Sequence, residues 1–429
     1  MATIKVAIVG AGIAGLSSAI ALRKYVGPDT PLDIRIYERL DLGDMNRHEG
    51  RKSEHVTAAP MVGAALALKD NGLHVLSELD PRIRAAAEYG GLSCRGFKFM
   101  SAGGWLLGRY SQPNTMISRG MLINALRAAV PNELIHHTSV KEIMIESDKT
   151  PMAWLEGEEK PEYVDLLIGA DGIRSPTRHA IFGNDSKYQT EYSGSCAVGG
   201  FYGMNVPDSL IQDPHLVFMY GSTGFFGYSA LSKNIRDKIM YWTVYQNPLP
   251  DKGQRLDLNE VDQMIRERHG HWKSSVVQTI VADAKVDSVW PIFFVPPLPS
   301  WGRDGAVVVG DAAHAMTPRS GQGAAQGIED AQTLGILLAD QLKRCASKEE
   351  AIRRTIDGLY LIRKDRVRKI HEEANTFKEP KLPMSTLSTW MLYVTMFILT
   401  KLSYFVRIFP DPGGWDARAE VARYLARMK

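Results

Sequence analysis

A chain of 429 residues with 45% hydrophobic and 23% charged residues reads as a globular protein too long for one core, so two joined domains are expected. A formal charge of +3 spread over that length is too small for a nucleic-acid-binding face. Cys94, Cys196 and Cys345 stand far apart without metal-ligand or redox spacing, which argues against a metal site and for a reducing compartment, the cytoplasm.

The chain passes directly into Ile4-Lys5-Val6-Ala7-Ile8-Val9, a strand-like run with none of the marks of a secretory signal. Gly10-Ala11-Gly12-Ile13-Ala14-Gly15 follows, then an Ala- and Leu-rich helix to Lys24 and, after a turn at 27–31, a second strand from Leu32 to Glu38. This βαβ unit needs parallel strands and places the protein in the α/β class. Gly10 permits a tight turn, Gly12 lets backbone approach a pyrophosphate, and Gly15 lets the helix pack on the strand. Glu38 ends the second strand about twenty residues on, where a carboxylate can hold ribose hydroxyls. Glycine turns between strand and helix also occur without a ligand, and Glu38 is what favours a dinucleotide here.

A second apolar strand-to-turn passage, Leu166-Leu167-Ile168-Gly169-Ala170-Asp171-Gly172, carries Asp171 and Gly172 to the edge where open α/β sheets bind ligands; alone it would read as a plain turn. From Gly194 to Gln246 the chain is strand-like and rich in Val, Phe and Tyr, which predicts a second, inserted sheet. Strand and helix alternation returns with Ala306–Val309, then Gly310-Asp311, then Gly321-Gln322-Gly323-Ala324 opening a helix. Asp311 at a strand end suits the ribityl chain of a flavin, and the free amides of Gly323 and Ala324 suit its pyrimidine end. His314 reads as a packed structural histidine, and the charged helix at 348–373 as a solvated face.

Together, in this order and spacing, the three segments resemble the class A flavoprotein monooxygenases, the single-component group that includes para-hydroxybenzoate and salicylate hydroxylases, and within it a fungal salicylate hydroxylase-like branch. The resemblance covers residues 4–375, with a weaker echo at Gly414-Trp415-Asp416. It implies a Rossmann-like FAD-binding domain of the glutathione reductase type from residues 1–182 and 286–375, an inserted mainly β-sheet substrate domain at 183–285, and a C-terminal apolar helical segment at 376–429. It also implies FAD held by Gly10, Gly12, Gly15, Glu38, Arg39, Arg119, Asp171, Gly172, Gly310, Asp311, Gly321, Gly323 and Ala324, with NADPH or NADH as a transient reductant. The implied reaction is hydroxylation or epoxidation of a hydrophobic, aromatic or alkaloid, polyketide or terpenoid natural product by a flavin hydroperoxide, with molecular oxygen as co-substrate.

A reductase or oxidase on the same scaffold is the rival reading; intact cofactor motifs argue against a non-enzymatic scaffold. Two departures stand out. Arg51–Pro60 replaces the glycine-rich strand that many relatives place beside the flavin, and Gly199 follows Tyr192–Val198 where relatives often carry arginine. Tyr228 falls where relatives place a substrate-sheet tyrosine and is the catalytic candidate, though an aromatic packed in the core serves equally well. The apolar stretch 382–409 is open to three readings, a helix packed on the body, one lying on a membrane surface, or a membrane span.

Overall fold

Strands buried on both faces need helices on both sides, and the near-continuous apolar run Ile4–Val9 sits at the centre of such a sheet. The computed structural model describes residues 3–28, 30–40, 65–147, 150–183, 185–246, 258–283, 286, 289–375, 382–403 and 413–428. The Arg51–Pro60 departure and residues 404–409 of the apolar tail lie outside the described residues. Six strands run in the order Gly302–Arg303, Ala306–Val308, Leu166–Gly169, Ile4–Val9, Leu32–Tyr37 and Ile135–His136, parallel except for the first pair. The helices Ile13–Val26 and Gly323–Arg344 pack closely on each other; a Cβ on Gly335 would fall 2.9 Å from the Ala21 backbone. A three-stranded sheet (Val140–Met144, Met152–Leu155, Glu162–Tyr163) is tied to the second strand by Arg35 Nη1 and the Tyr37 hydroxyl, both donating to the Glu162 carboxylate.

The second sheet has eight strands, in the order Val289–Phe294, Glu191–Gly203, Lys238–Gln246, Gly224–Ala230, Leu216–Gly221, Leu92–Ser101, Leu106–Ser118 and Ala65–Lys69. It is wider than the inserted segment 183–285, because three strands come from upstream and one from downstream. Strand Leu216–Gly221 pairs in parallel with Leu92–Ser101, a contact across more than a hundred residues that local pattern does not reveal. Within the inserted segment the helices Leu258–His269 and Ser275–Asp283 cover one face of this sheet and bury Val217, Met219, Phe226 and Tyr241 there.

The C-terminal apolar segment forms the helix Thr386–Leu402, one side of which lies on the eight-stranded sheet. Thr400 Oγ1 donates to the Leu107 carbonyl at 3.2 Å, the Tyr393 hydroxyl donates to the Tyr220 carbonyl at 3.0 Å, and Trp390 meets Trp105. Among the described residues no helix is long and apolar enough to cross a membrane.

The helix Lys348–Asn375 presents Arg353 and Arg368 to solvent as its charge pattern led one to expect, but not Arg363, which is wholly buried. Its guanidinium donates to Asp330 Oδ1 at 2.8 Å and Glu329 Oε2 at 2.5 Å, both carboxylates being wholly buried on the Gly323–Arg344 helix. Arg366 adds a second bond to Glu329 at 2.7 Å, and the Trp415 ring stacks on both guanidinium groups at 4.4 and 5.0 Å. Burial by itself raises the Asp330 pKa, but the charges of His314 and Arg363 outweigh it and hold the carboxyl down to about 2. Stability from this depressed group is therefore complete above its ordinary 3.8 and is lost as the pH falls through about 2. Arg363→Met keeps volume but takes the shared cation from two buried carboxylates, leaving Glu329 to Arg366 and Asp330 to His314, and a loss of about 3–5 kcal/mol in denaturant unfolding is expected; an unchanged unfolding midpoint would contradict the pairing.

Candidate cofactor-binding site

The parallel register decides where the three glycine turns meet. Val9 pairs with Gly169 and with Tyr37, and Gly169 pairs with Val308. Beyond those pairs the Gly10 amide donates to the Tyr37 carbonyl at 2.8 Å, the Ala170 amide to Val9 at 2.9 Å, and the Val309 amide to Gly169 at 3.0 Å. Glu38, Gly10, Asp171 and Gly310 thus leave the sheet side by side at its carboxyl edge, the edge at which open α/β sheets hold ligands.

In the first turn Gly10 has φ 102°, and a Cβ there would fall 2.6 Å from the Ala170 carbonyl oxygen. A Cβ on Gly15 would overlap the Gly10 carbonyl. Gly12 is different: its φ of −76° suits any residue, and a Cβ on it would meet no atom within 4 Å. Neither packing nor backbone requires glycine there. The open space lies at the start of the helix Ile13–Val26, which has no acidic residue in its first turn and no side-chain cap. A cradle of that shape and polarity fits a diphosphate. Glu38 stands beside it, its two carboxylate oxygens accepting from the Ala11 amide at 2.8 Å and the Leu40 amide at 3.0 Å, with Arg39 exposed next to it. Arg119 is half-buried at the start of the helix Arg119–Arg127, which Ser118 caps and which packs on the first helix.

Asp171 points its carboxylate into the protein, where Oδ2 accepts from the Thr177 amide at 2.9 Å and hydroxyl at 2.8 Å. Burial pushes its pKa up against those donors. Its side chain therefore shapes the turn that leaves Gly172, φ 76°, facing open space. Arg178, to which sequence reasoning gave no role, joins the second segment to the third: Nη1 donates to the Ala312 carbonyl at 2.8 Å and Nη2 to Ile173 at 2.6 Å. An arginine among Ala and Ile residues in a short helix was the available signal.

Gly310, φ 59°, fits between Ala14 and Gly327, a Cβ there lying 2.9 Å from the Ala14 Cβ. It turns Asp311 outward, exposed, as the first residue of the helix Asp311–His314. A Cβ on Gly323 would stand 3.7 Å from Asp311 Oδ1, so this carboxylate and the start of the Gly323–Arg344 helix, with Ala324, border one space. Gly321, φ 59°, makes the turn before that helix. His314 is packed as expected: Nε2 lies 2.6 Å from Asp330 Oδ2, and the ring sits 4.9 Å from Trp301.

The eight-stranded sheet offers two aromatic faces, and Tyr228 is on the covered one. It pairs with Val217 and Tyr241, is 7% exposed within the second core, and burial raises its pKa while the Ser274 hydroxyl opposes the shift. The catalytic candidate is thus separated by the sheet from the opposite face, which carries Phe218, Tyr220, Phe225 and Trp242. Burial pushes Tyr220 up to about 12, partly offset by the charge of Arg319 in the loop before Gly321. Of the two tyrosines, Tyr220 is the one on which the charge of Arg319, two residues before Gly321, acts. Alternation along both arms of the hairpin Leu216–Gly221 and Gly224–Ala230 was the signal that separates the two tyrosines. A cavity of about 520 Å³ lined by Arg35, Tyr37, His136, His137, Glu156 and Glu158 lies apart from this, between the sheet edge and the small sheet.

The FAD binding domain family matches residues 119–351, more than half of the chain. Among relatives, the chloroplastic zeaxanthin epoxidase of Solanum lycopersicum is 26% identical over 358 residues, covering 80% of this chain and 49% of that protein. The 3-amino-4-hydroxybenzoate 2-monooxygenase of Streptomyces cremeus is 27% identical over 391 residues, covering 88% and 87%. The chain thus spans about half the length of the zeaxanthin epoxidases it matches. Among solved structures, Klebsiella pneumoniae HpxO complexed with FAD and uric acid superposes with a TM-score of 0.70 at 19% identity, covering 99% of this chain and 97% of that one, a likeness of fold.

The contrast between the first-turn glycines is testable. Gly12→Ala should leave the apo-protein's stability within about 0.5 kcal/mol yet weaken FAD binding about ten-fold or more, as read by flavin fluorescence titration. Gly15→Ala should lower stability itself, since its Cβ has no room. Full FAD affinity in Gly12→Ala would contradict the cradle.

Proposed function

This chain belongs to the FAD binding domain family and to the class A FAD-dependent monooxygenases, and from that premise we propose that it transfers one atom of O2 to a hydrophobic small molecule at the expense of NADPH or NADH. The supporting observation is the aromatic face formed by Phe218, Tyr220, Phe225 and Trp242, on the side of the eight-stranded sheet opposite the Tyr228 core. Such a face suits a flat apolar substrate, whether aromatic or an alkaloid, polyketide or terpenoid natural product. Relatives are named for epoxidation of zeaxanthin and monooxygenation of 3-amino-4-hydroxybenzoate, so ring hydroxylation and alkene epoxidation are both within the proposal.

The chemistry supplied by bound FAD is electron transfer from the nicotinamide nucleotide and activation of oxygen. The chain's own residues bind, orient and keep water out. The Gly12 cradle and helix start would receive the diphosphate, Glu38 would hold a ribose, and Asp311 would accept from a ribityl hydroxyl. The free amides of Gly323 and Ala324 favour negative charge at the pyrimidine end. Phe218, Phe225 and Trp242 exclude water from the face on which the substrate lies. The unpaired, buried cysteines Cys94, Cys196 and Cys345 suit work in the reducing cytoplasm.

Mass spectrometry of products formed under isotopically labelled O2 with NADPH should show one labelled oxygen atom in a hydrophobic metabolite. Anaerobic turnover, or oxidation without label, would instead make the protein a reductase or oxidase. Asp311→Ala should lose FAD retention equivalent to about 1.5–3 kcal/mol through removal of a charge-assisted hydrogen bond, measured by equilibrium dialysis. Unchanged occupancy would remove Asp311 from the site.

A further inference from the structure

A surface helix on a soluble protein turns its apolar stripe inward and its polar groups outward. The helix Thr386–Leu402 does the reverse. The side toward the sheet carries Thr389, Tyr393 and Thr400, and the latter two spend their hydroxyls on strand carbonyls. The outward side carries Leu387, Met391, Val394, Ile398 and Leu402 at spacings of three and four, one continuous stripe, with Leu387 72% and Met391 62% exposed. Beside it Trp390 packs on Trp105, itself 57% exposed, so the apolar surface continues from the helix onto the turn between two strands.

Near the stripe in sequence the charge is predominantly positive. No Asp or Glu occurs in 382–402 or in 101–108. Lys401 sits in the last turn with its ammonium 5.7 Å from the Phe397 ring, and exposed Lys273 adjoins the Trp105 turn through its amide bond to the Ala102 carbonyl at 2.8 Å. In sequence, Lys378 and Lys381 precede the helix and Arg407 follows it, against Glu379 alone.

We propose that this stripe docks the protein onto an anionic lipid surface, the helix lying in the plane of the interface and pinned to the body by Tyr393 and Thr400. Apolar side chains with aromatic and basic neighbours are the composition an interfacial helix requires, and among the described residues no helix is long and apolar enough to cross a membrane. The docking is independent of the oxygen chemistry and stands or falls separately from it.

The test uses the full chain loaded with FAD and vesicles of phosphatidylcholine with or without phosphatidylserine. The protein should sediment with the phosphatidylserine vesicles, less so at high salt, and weakly with phosphatidylcholine alone. Combining Met391→Ser, Val394→Ser and Ile398→Ser should reduce vesicle binding about ten-fold or more while FAD content stays unchanged. Lys401→Gln should weaken binding only where phosphatidylserine is present. Protein left in the supernatant with both vesicles, equal sedimentation with both, or undiminished binding by the triple variant would each overturn the proposal. So would a dimer in light scattering that depends on the stripe and occurs without vesicle binding.

Discussion

The molecule depends on the register of its parallel strands. Because Val9, Gly169, Val308 and Tyr37 end at one level, turns separated by up to about three hundred positions in sequence emerge along one edge. A shift of one residue in any pairing would move a turn off that edge and reverse the faces of its strand. Backbone contacts then bring the pieces closer: Gly10 touches Ala170, and Gly310 fits against Ala14 and Gly327. Glycine at these points answers to the neighbouring chain, whereas at Gly12 it answers to an empty space, and that difference separates folding from binding within a single motif.

A second constraint holds the far side of the site. The helix whose start borders Asp311 also carries Glu329 and Asp330 in its buried middle, and they are neutralised by Arg363 from the next helix, with Trp415 of the C-terminal segment closing over the guanidinium. Burying two carboxylates costs several kcal/mol each, which Arg363 offsets together with Arg366 at Glu329 and His314 at Asp330. The position of Gly323 and Ala324 therefore rests on residues forty to ninety positions further along the chain. His314 belongs to the same network, linking the Asp311 turn to Asp330.

The eight-stranded sheet divides its aromatic residues between two purposes by alternation alone. Phe226, Tyr228 and Tyr241 face the helices Leu258–His269 and Ser275–Asp283 and build a core; Phe218, Tyr220, Phe225 and Trp242 face the other way. The Thr386–Leu402 helix borders that second face through Tyr393 and Tyr220, and so the same element that carries the outward apolar stripe also walls the proposed substrate side.

Residues 4–38 show what sequence alone determines. Strand, glycine turn, helix and closing carboxylate are local features, written in spacings that backbone sterics and helix geometry impose, and the Asp171 and Asp311 turns are legible for the same reason. The α/β class and the cofactor chemistry follow from them. Tertiary structure alone decided which strands share a sheet, since the pairing of Leu216–Gly221 with Leu92–Ser101 closes a loop of more than a hundred residues. It also decided that Asp171 turns inward to Thr177, that Arg363 is buried, and that Tyr220 and Tyr228 lie on opposite faces of the sheet. Each of these depends on which partner occupies the opposite side of a contact, and a side chain's identity does not specify its partner until the chain has closed around it.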